Sequence, residues 1–372
     1  MLKPLFLSII YLTQILLVSE FISAQPKLLP NFDPVEYKQL LEVTSRQADT
    51  VKYKVSLPYP DNCKLEYRSD TLGLNNRWDL WIRNDSVGII SIRGTVPQAN
   101  SWAEDFYAAM VPAKGSMIIN KDYVFIYKLA EDHRAAVHAG WLIGLAYLSP
   151  TIVEKINEYY SRGIKNYIIM GHSQGGAIAY LLNSYLKYSD NERIPSDINF
   201  KTYCSAAPKP GNLFYSYDFD FINRGGWAMR VYNSEDWVPQ TPLSVQALKD
   251  FSHINPYTER DSLLVKMSLI ERILFNYMTN KLKNSLIDYR DLLEKDFGSM
   301  IYNNSIKKFL PEFPEPEYTN DAYYYPCGLP VVLMAAPGYQ DFIKTETEIP
   351  LLFKNHMLEP YYFLLNKIYF GK

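Results

Sequence analysis

Apolar positions along the chain follow two rhythms. Trp78-Asp79-Leu80-Trp81-Ile82 alternates with the period of two of a half-covered strand, Asn84-Asp85 makes a turn, and Val87 to Ile92 resumes as an apolar run. Tyr167-Ile168-Ile169-Met170 is short and wholly apolar, as expected for a strand buried on both faces. Phe200 to Cys204 and Trp227 to Tyr232 read as further strands. Between these runs the period changes. Asn31 to Val51 places Val35, Leu40, Leu41 and Val43 among charges after Asp33-Pro34, a lead-in helix. Val137 to Tyr160 reads as helical, with a break expected at Ser149-Pro150. Ala177 to Tyr188 carries Ile178, Leu181, Leu182 and Leu186 along one side. Strands alternating with helices predict an α/β fold, a mostly parallel central sheet with helices on both faces.

A later stretch differs. Met267, Ile270, Leu274, Met278, Leu282, Ile287, Leu292 and Phe297 recur at helical intervals among charged residues. This predicts one or two amphipathic helices near 262–302, within an insertion reaching about residue 330 of a single domain spanning 25–372. Such helices either pack on the sheet layer or cap a site.

Composition narrows the possibilities. With 48% hydrophobic and 21% charged residues among 372, the chain suits a globular protein and excludes a disordered or fibrous one. Lys+Arg 38 against Asp+Glu 40, with no basic block, argues against a nucleic-acid partner. Lys3 precedes an apolar run from Leu5 to Val18, then Ser23-Ala24; this predicts a signal peptide over 1–24 and a secreted or periplasmic protein. Cys63, Cys204 and Cys327 allow one disulfide at most and match no metal spacing.

The chemistry concentrates in Gly171-His172-Ser173-Gln174-Gly175. An apolar strand precedes this G-x-S-x-G and an Ala/Leu-rich helix follows, the context of a sharp turn that lifts a serine above a sheet at a helix N-terminus. Ser173 as a nucleophile needs a histidine base, and that base needs a carboxylate. The strand end Arg230 to Pro239 supplies Asp236, with Glu235 as its rival. Of five histidines, His133, His138 and His172 precede the acid, which leaves His356 and His253 as the base. An oxyanion hole needs two backbone donors. Gln174 N–H is one; Thr95 N–H, after Gly94 at the end of the Val87–Ile92 run, is the other, with Asp105 placed to hold the Thr95 hydroxyl.

Several segments together resemble the fungal-type triacylglycerol lipases, the class 3 lipases of the α/β-hydrolase superfamily. Arg93-Gly94-Thr95 resembles the family's R-G-[ST] oxyanion loop, and Val137-His138-Ala139-Gly140-Trp141 its V-H-x-G-[FW] helix start. Gly171 to Gly176 resembles G-H-S-x-G-G, Ala207 to Asn212 resembles S-P-R-V-G-N, and Asn233 to Pro239 resembles N-x-x-D-x-V-P. The likeness covers about residues 75 to 260 plus the His356 region. It implies a serine ester hydrolase of lipids acting through Ser173, Asp236 and His356, needing neither metal nor organic cofactor, with His138 structural. It also implies transient contact with a lipid interface, and a lid in which Trp102, Phe106 and Met110 share one helix face. Phospholipase A1 or polysaccharide acyl esterase activity, or lipid binding without catalysis, are the other functions open to this fold. The interval from Asp236 to His356 is longer than the family pattern.

Overall fold

The computed structural model describes residues 27–47, 57–246, 250, 269, 272–273, 294–345 and 349–371. The expected signal peptide, His253 and most of the 262–302 stretch lie outside them.

The central sheet has seven strands. They are β1 (Cys63–Arg68), β2 (Trp78–Arg83), β3 (Val87–Ile92), β8 (Asn166–His172), β9 (Asn199–Ser205), β11 (Ala228–Asn233) and β13 (Leu329–Leu333), in that spatial order. β1 with β2 and β2 with β3 pair antiparallel; from β3 onward every pairing is parallel. Between β3 and β8 lie β4 (Met110–Pro112), a hairpin of β5 (Lys114–Asn120) and β6 (Tyr123–Lys128), and β7 (Ala136–His138). A small antiparallel sheet joins β4 and β7 to β10 (Gly211–Asn212) and β12 (Tyr324–Tyr325). The helices are α1 (Pro34–Ser45), α2 (Ala99–Phe106), α3 (Ala139–Ser161), α4 (Gln174–Lys187), α5 (Leu213–Ile222), α6 (Tyr339–Thr345) and α7 (Leu358–Leu365).

Side-chain alternation divides the core between the two faces of the sheet. Tyr167 and Ile169 of β8 pack with Ile90 and Ile92 of β3 against α3 and α4. Ile168, Met170 and Ile89 point the other way, into Tyr37, Leu40 and Leu41 of α1 and Tyr361, Leu364 and Leu365 of α7. Covered on both faces, β8 needs the continuous apolar run it has. α1 starts where Asp33 Oδ1 accepts the Val35 and Glu36 N–H groups and Pro34 supplies a preset φ. All three cysteines are buried free thiols.

Three expectations are corrected. α3 does not break at Pro150 but runs from Ala139 through Ser161. A proline cannot donate to the carbonyl four residues back, and here the Tyr123 hydroxyl takes that place on Ala146 O at 3.0 Å. Met110 does not continue the face of Trp102 and Phe106: α2 ends at Phe106, and Met110 is buried in β4 opposite His138. Finally, among the described residues the expected helical insertion does not stay helical to about residue 330. Helical turns run through Phe309, but Tyr324–Tyr325 pairs with β10, and Leu329–Leu333 is the edge strand of the main sheet. The V-V of Leu-Pro-Val-Val-Leu fits an edge strand, where Pro330 is tolerated.

Candidate active site

The parallel strands β3, β8 and β11 deliver their C-terminal ends to one side of the sheet. β8 turns into α4 at Ser173, whose φ of 61° and ψ of −131° lie in a region that side chains rarely adopt. The turn is tight enough to dictate its glycine: a Cβ on Gly171 would lie 2.0 Å from Gly175 O. Ser173 N–H is tied to Ser205 O at 2.9 Å, and its side chain remains partly open to solvent.

His356 reaches this hydroxyl from 183 residues away. Ser173 Oγ lies 2.7 Å from His356 Nε2, and His356 Nδ1 lies 2.8 Å from Asp236 Oδ2. A carboxylate only accepts, so Nδ1–H donates to Asp236 and Nε2 is left to accept from the serine. Asp236 and His356 are buried. Asp236 Oδ1 accepts the Val238 N–H at 3.0 Å, and Oδ2 also accepts the Tyr361 hydroxyl at 2.7 Å. Glu235 is exposed, its N–H capped by Asn233 Oδ1.

Thr95 follows β3. Gly94 is required there for clearance, because a Cβ would lie 2.7 Å from His172 O. The Thr95 hydroxyl donates to Asp105 Oδ2 at 2.8 Å, and Trp141 Nε1–H donates to Asp105 Oδ1 at 3.1 Å. Burial pushes the Asp105 carboxyl up to about 6. Among the described residues, neither Thr95 N–H nor Gln174 N–H donates a hydrogen bond within the chain. His138 is structural, as expected. Its Nε2–H donates to Asp105 O at 3.1 Å, its Nδ1 accepts the Trp141 N–H that opens α3, and burial pushes it down to about 3.

Sequence reasoning missed Tyr361, Trp141 and the role of His172, since no spacing rule marks a side chain that only orients another. Around the site stands an apolar rim. The rings of Phe106 and Trp102 stack at 6.0 Å, Trp102 meets Phe353 at 5.9 Å, and Phe353 meets Trp237 at 5.8 Å. Leu351 and Leu352, which precede Phe353 directly in the chain, are exposed. Among the described residues no cluster of His, Cys, Asp and Glu could hold a metal ion, and no helix is long and apolar enough to cross a membrane.

Residues 89–246 match the family model for lipase (class 3). No curated protein shows significant similarity to the sequence. Among solved structures, Lip2 lipase from Yarrowia lipolytica is similar at 16% identity and TM-score 0.44, covering 57% of this chain and 76% of that one. A triacylglycerol lipase from Penicillium expansum is similar at 12% identity and TM-score 0.41, covering 56% and 74%. The Rhizomucor miehei lipase propeptide complex is similar at 17% identity and TM-score 0.37, covering 57% and 65%.

Proposed function

We propose that this chain, whose residues 89–246 match the family model for lipase (class 3), is an ester hydrolase of triacylglycerol lipase type, with Ser173, His356 and Asp236 as its catalytic triad and acylglycerols as its substrate. His356 Nε2 takes the Ser173 proton as Oγ attacks the ester carbonyl. Asp236 holds the imidazole tautomer and stabilises the imidazolium that forms. Thr95 and Gln174 N–H groups bind the oxyanion, each donor contributing about 3 kcal/mol to the transition state. The alcohol leaves with the proton from His356, and a water activated by the same ring releases the acid.

The observation that carries this reading is the single imidazole bridging Ser173 Oγ at 2.7 Å and Asp236 Oδ2 at 2.8 Å. The exposed apolar side chains of Phe106, Leu351 and Leu352 support a water-insoluble substrate, with α2 as the lid that moves at a lipid surface. The lysine and apolar run at the N-terminus support export. The test is turnover of emulsified acylglycerol together with fluorophosphonate labelling. Ser173→Ala should lose labelling and about 10⁶-fold in kcat, and Asp236→Asn about 10⁴-fold. Retained labelling in Ser173→Ala would remove the assignment. Hydrolysis of phospholipid or feruloyl esters in preference to acylglycerol would move the substrate and keep the triad.

A further inference from the structure

We propose that His172 is a positioning residue for the base: its ring, held by the hydroxyls of Ser205 and Tyr37, fixes the main-chain carbonyl of His356 and thereby aims that imidazole at Ser173. This rests on the reading of His356 as the base.

The contacts form one directed line. His172 Nε2 lies 2.7 Å from His356 O. A carbonyl only accepts, so Nε2 carries the hydrogen. Burial pushes the His172 ring down to about 3, so it is neutral and Nδ1 is an acceptor. Ser205 Oγ, 3.0 Å away, must then donate to Nδ1. That leaves Ser205 Oγ to accept from the Tyr37 hydroxyl at 2.6 Å. Every link has one possible direction, and the line ends on a phenol that donates.

What the line holds is the end of the segment that carries the base; Trp237 Nε1–H donates to Leu352 O at 2.8 Å and the Tyr339 hydroxyl to Asn355 Oδ1 at 2.8 Å, but neither reaches His356 itself. His356 ends a short 3-10 turn, Leu351–His356, before α7. Its predecessor is gripped by Asn233 Nδ2, which donates to Asn355 O at 3.0 Å. Two successive carbonyls held by side chains from two neighbouring regions of the sheet fix the rotation of that stretch, and with it the direction of the His356 Cα–Cβ bond. Ser205 also accepts Ser173 N–H through its own carbonyl, so one residue at the end of β9 supports both nucleophile and base. The His172 and His356 rings sit 5.2 Å apart, and Tyr361 closes the other side edge-on at 5.1 Å. Tyr37 comes from α1, so this grip on the base begins outside the 89–246 segment.

The test uses the full chain and a soluble short-chain p-nitrophenyl ester, with rates normalised to sites titrated by a fluorophosphonate. His172→Leu should lower kcat about 10–100-fold with KM changed less than about twofold, because a misplaced base costs rate rather than binding. His172→Gln, which returns an N–H near the Nε2 position, should recover a substantial part of that loss at the same melting temperature. Tyr37→Phe and Ser205→Ala should each lower kcat about threefold or more. Wild-type kcat per titrated site in His172→Leu, or a Gln variant no faster than the Leu variant, overturns the proposal. Should His172→Leu fail to fold, wild-type kcat in both hydroxyl deletions overturns it. Ser173→Ala in the same assay separates the two levels. Turnover surviving there defeats the triad itself, whereas its loss beside a fully active His172→Leu defeats only the positioning role.

Discussion

At Asp105 two demands meet in one carboxyl. Its two oxygens accept from the Thr95 hydroxyl and the Trp141 indole, contacts that are strongest when it is ionised, yet it lies where charge is expensive. With its folded value at about 6 and its ordinary value at 3.8, folding takes up a proton between those pH values. The sign follows. This group favours the folded state most at low pH, and its contribution declines as pH rises from about 4 through about 6, by about 3 kcal/mol. Asp105→Asn, which cannot ionise, should show a flatter dependence of unfolding free energy on pH over that window, measured by urea titration at pH 4.5 and 7.5. A slope equal to that of the native chain would mean that Asp105 titrates elsewhere. Thr95, Ser173 and Asp236 were legible because each sits in a motif whose backbone demands are local. Tyr361 was not legible, since a tyrosine at the start of an apolar helix looks the same whether its hydroxyl meets water or a buried carboxylate.

Pro150 shows how an element can defy its local signal. The expected break in α3 rested on a missing N–H, a sound argument about the helix alone. The compensating donor, Tyr123, comes from β6 and is invisible to any window around the proline. Tyr123→Phe should therefore leave Ala146 O without that partner and cost about 1–3 kcal/mol of stability. Thermal unfolding reads the loss, while kcat per titrated site stays unchanged. If the melting temperature does not move, the hydroxyl is not what sustains the helix through Pro150. The strands β2, β3, β8, β9 and β11 were legible from periodicity because each buries one or two full faces. β1 and β13 were not, since an edge strand half open to solvent mixes polar and apolar positions without a clear period. α2 was read one turn too long because Met110 continued its spacing while facing a different layer.

Across the whole molecule, the N-terminal helix α1 is fastened to the sheet by charge. Glu36 receives Lys201 Nζ at 2.6 Å, the Tyr203 hydroxyl at 2.7 Å and Arg83 Nη1 at 3.2 Å; the Lys201 side chain is 1% exposed. Removing one partner of such a pair strands a buried cation. Glu36→Gln should destabilise the fold by about 3–5 kcal/mol, and the double variant Glu36→Leu/Lys201→Met should recover most of it. Denaturant unfolding of the two variants decides the matter; equal losses would show that packing, not charge, fastens α1. The overall α/β layout was legible because alternation of strand and helix leaves few topologies. The path between Asp236 and His356 was not, since its length exceeds what the family pattern predicts.

That path has a consequence of its own. β13 lies in parallel register beside β11, with Leu333 opposite Asn233, three residues before the acid. The returning chain is thus re-zeroed against the very strand it left. Closing a longer excursion costs only about 0.6 kcal/mol per doubling of its length, and none of the added residues shifts where the chain re-enters. Evolution could lengthen or trim the intervening segment as a separate module, for a new surface or a new binding preference, with no retuning of the reacting atoms.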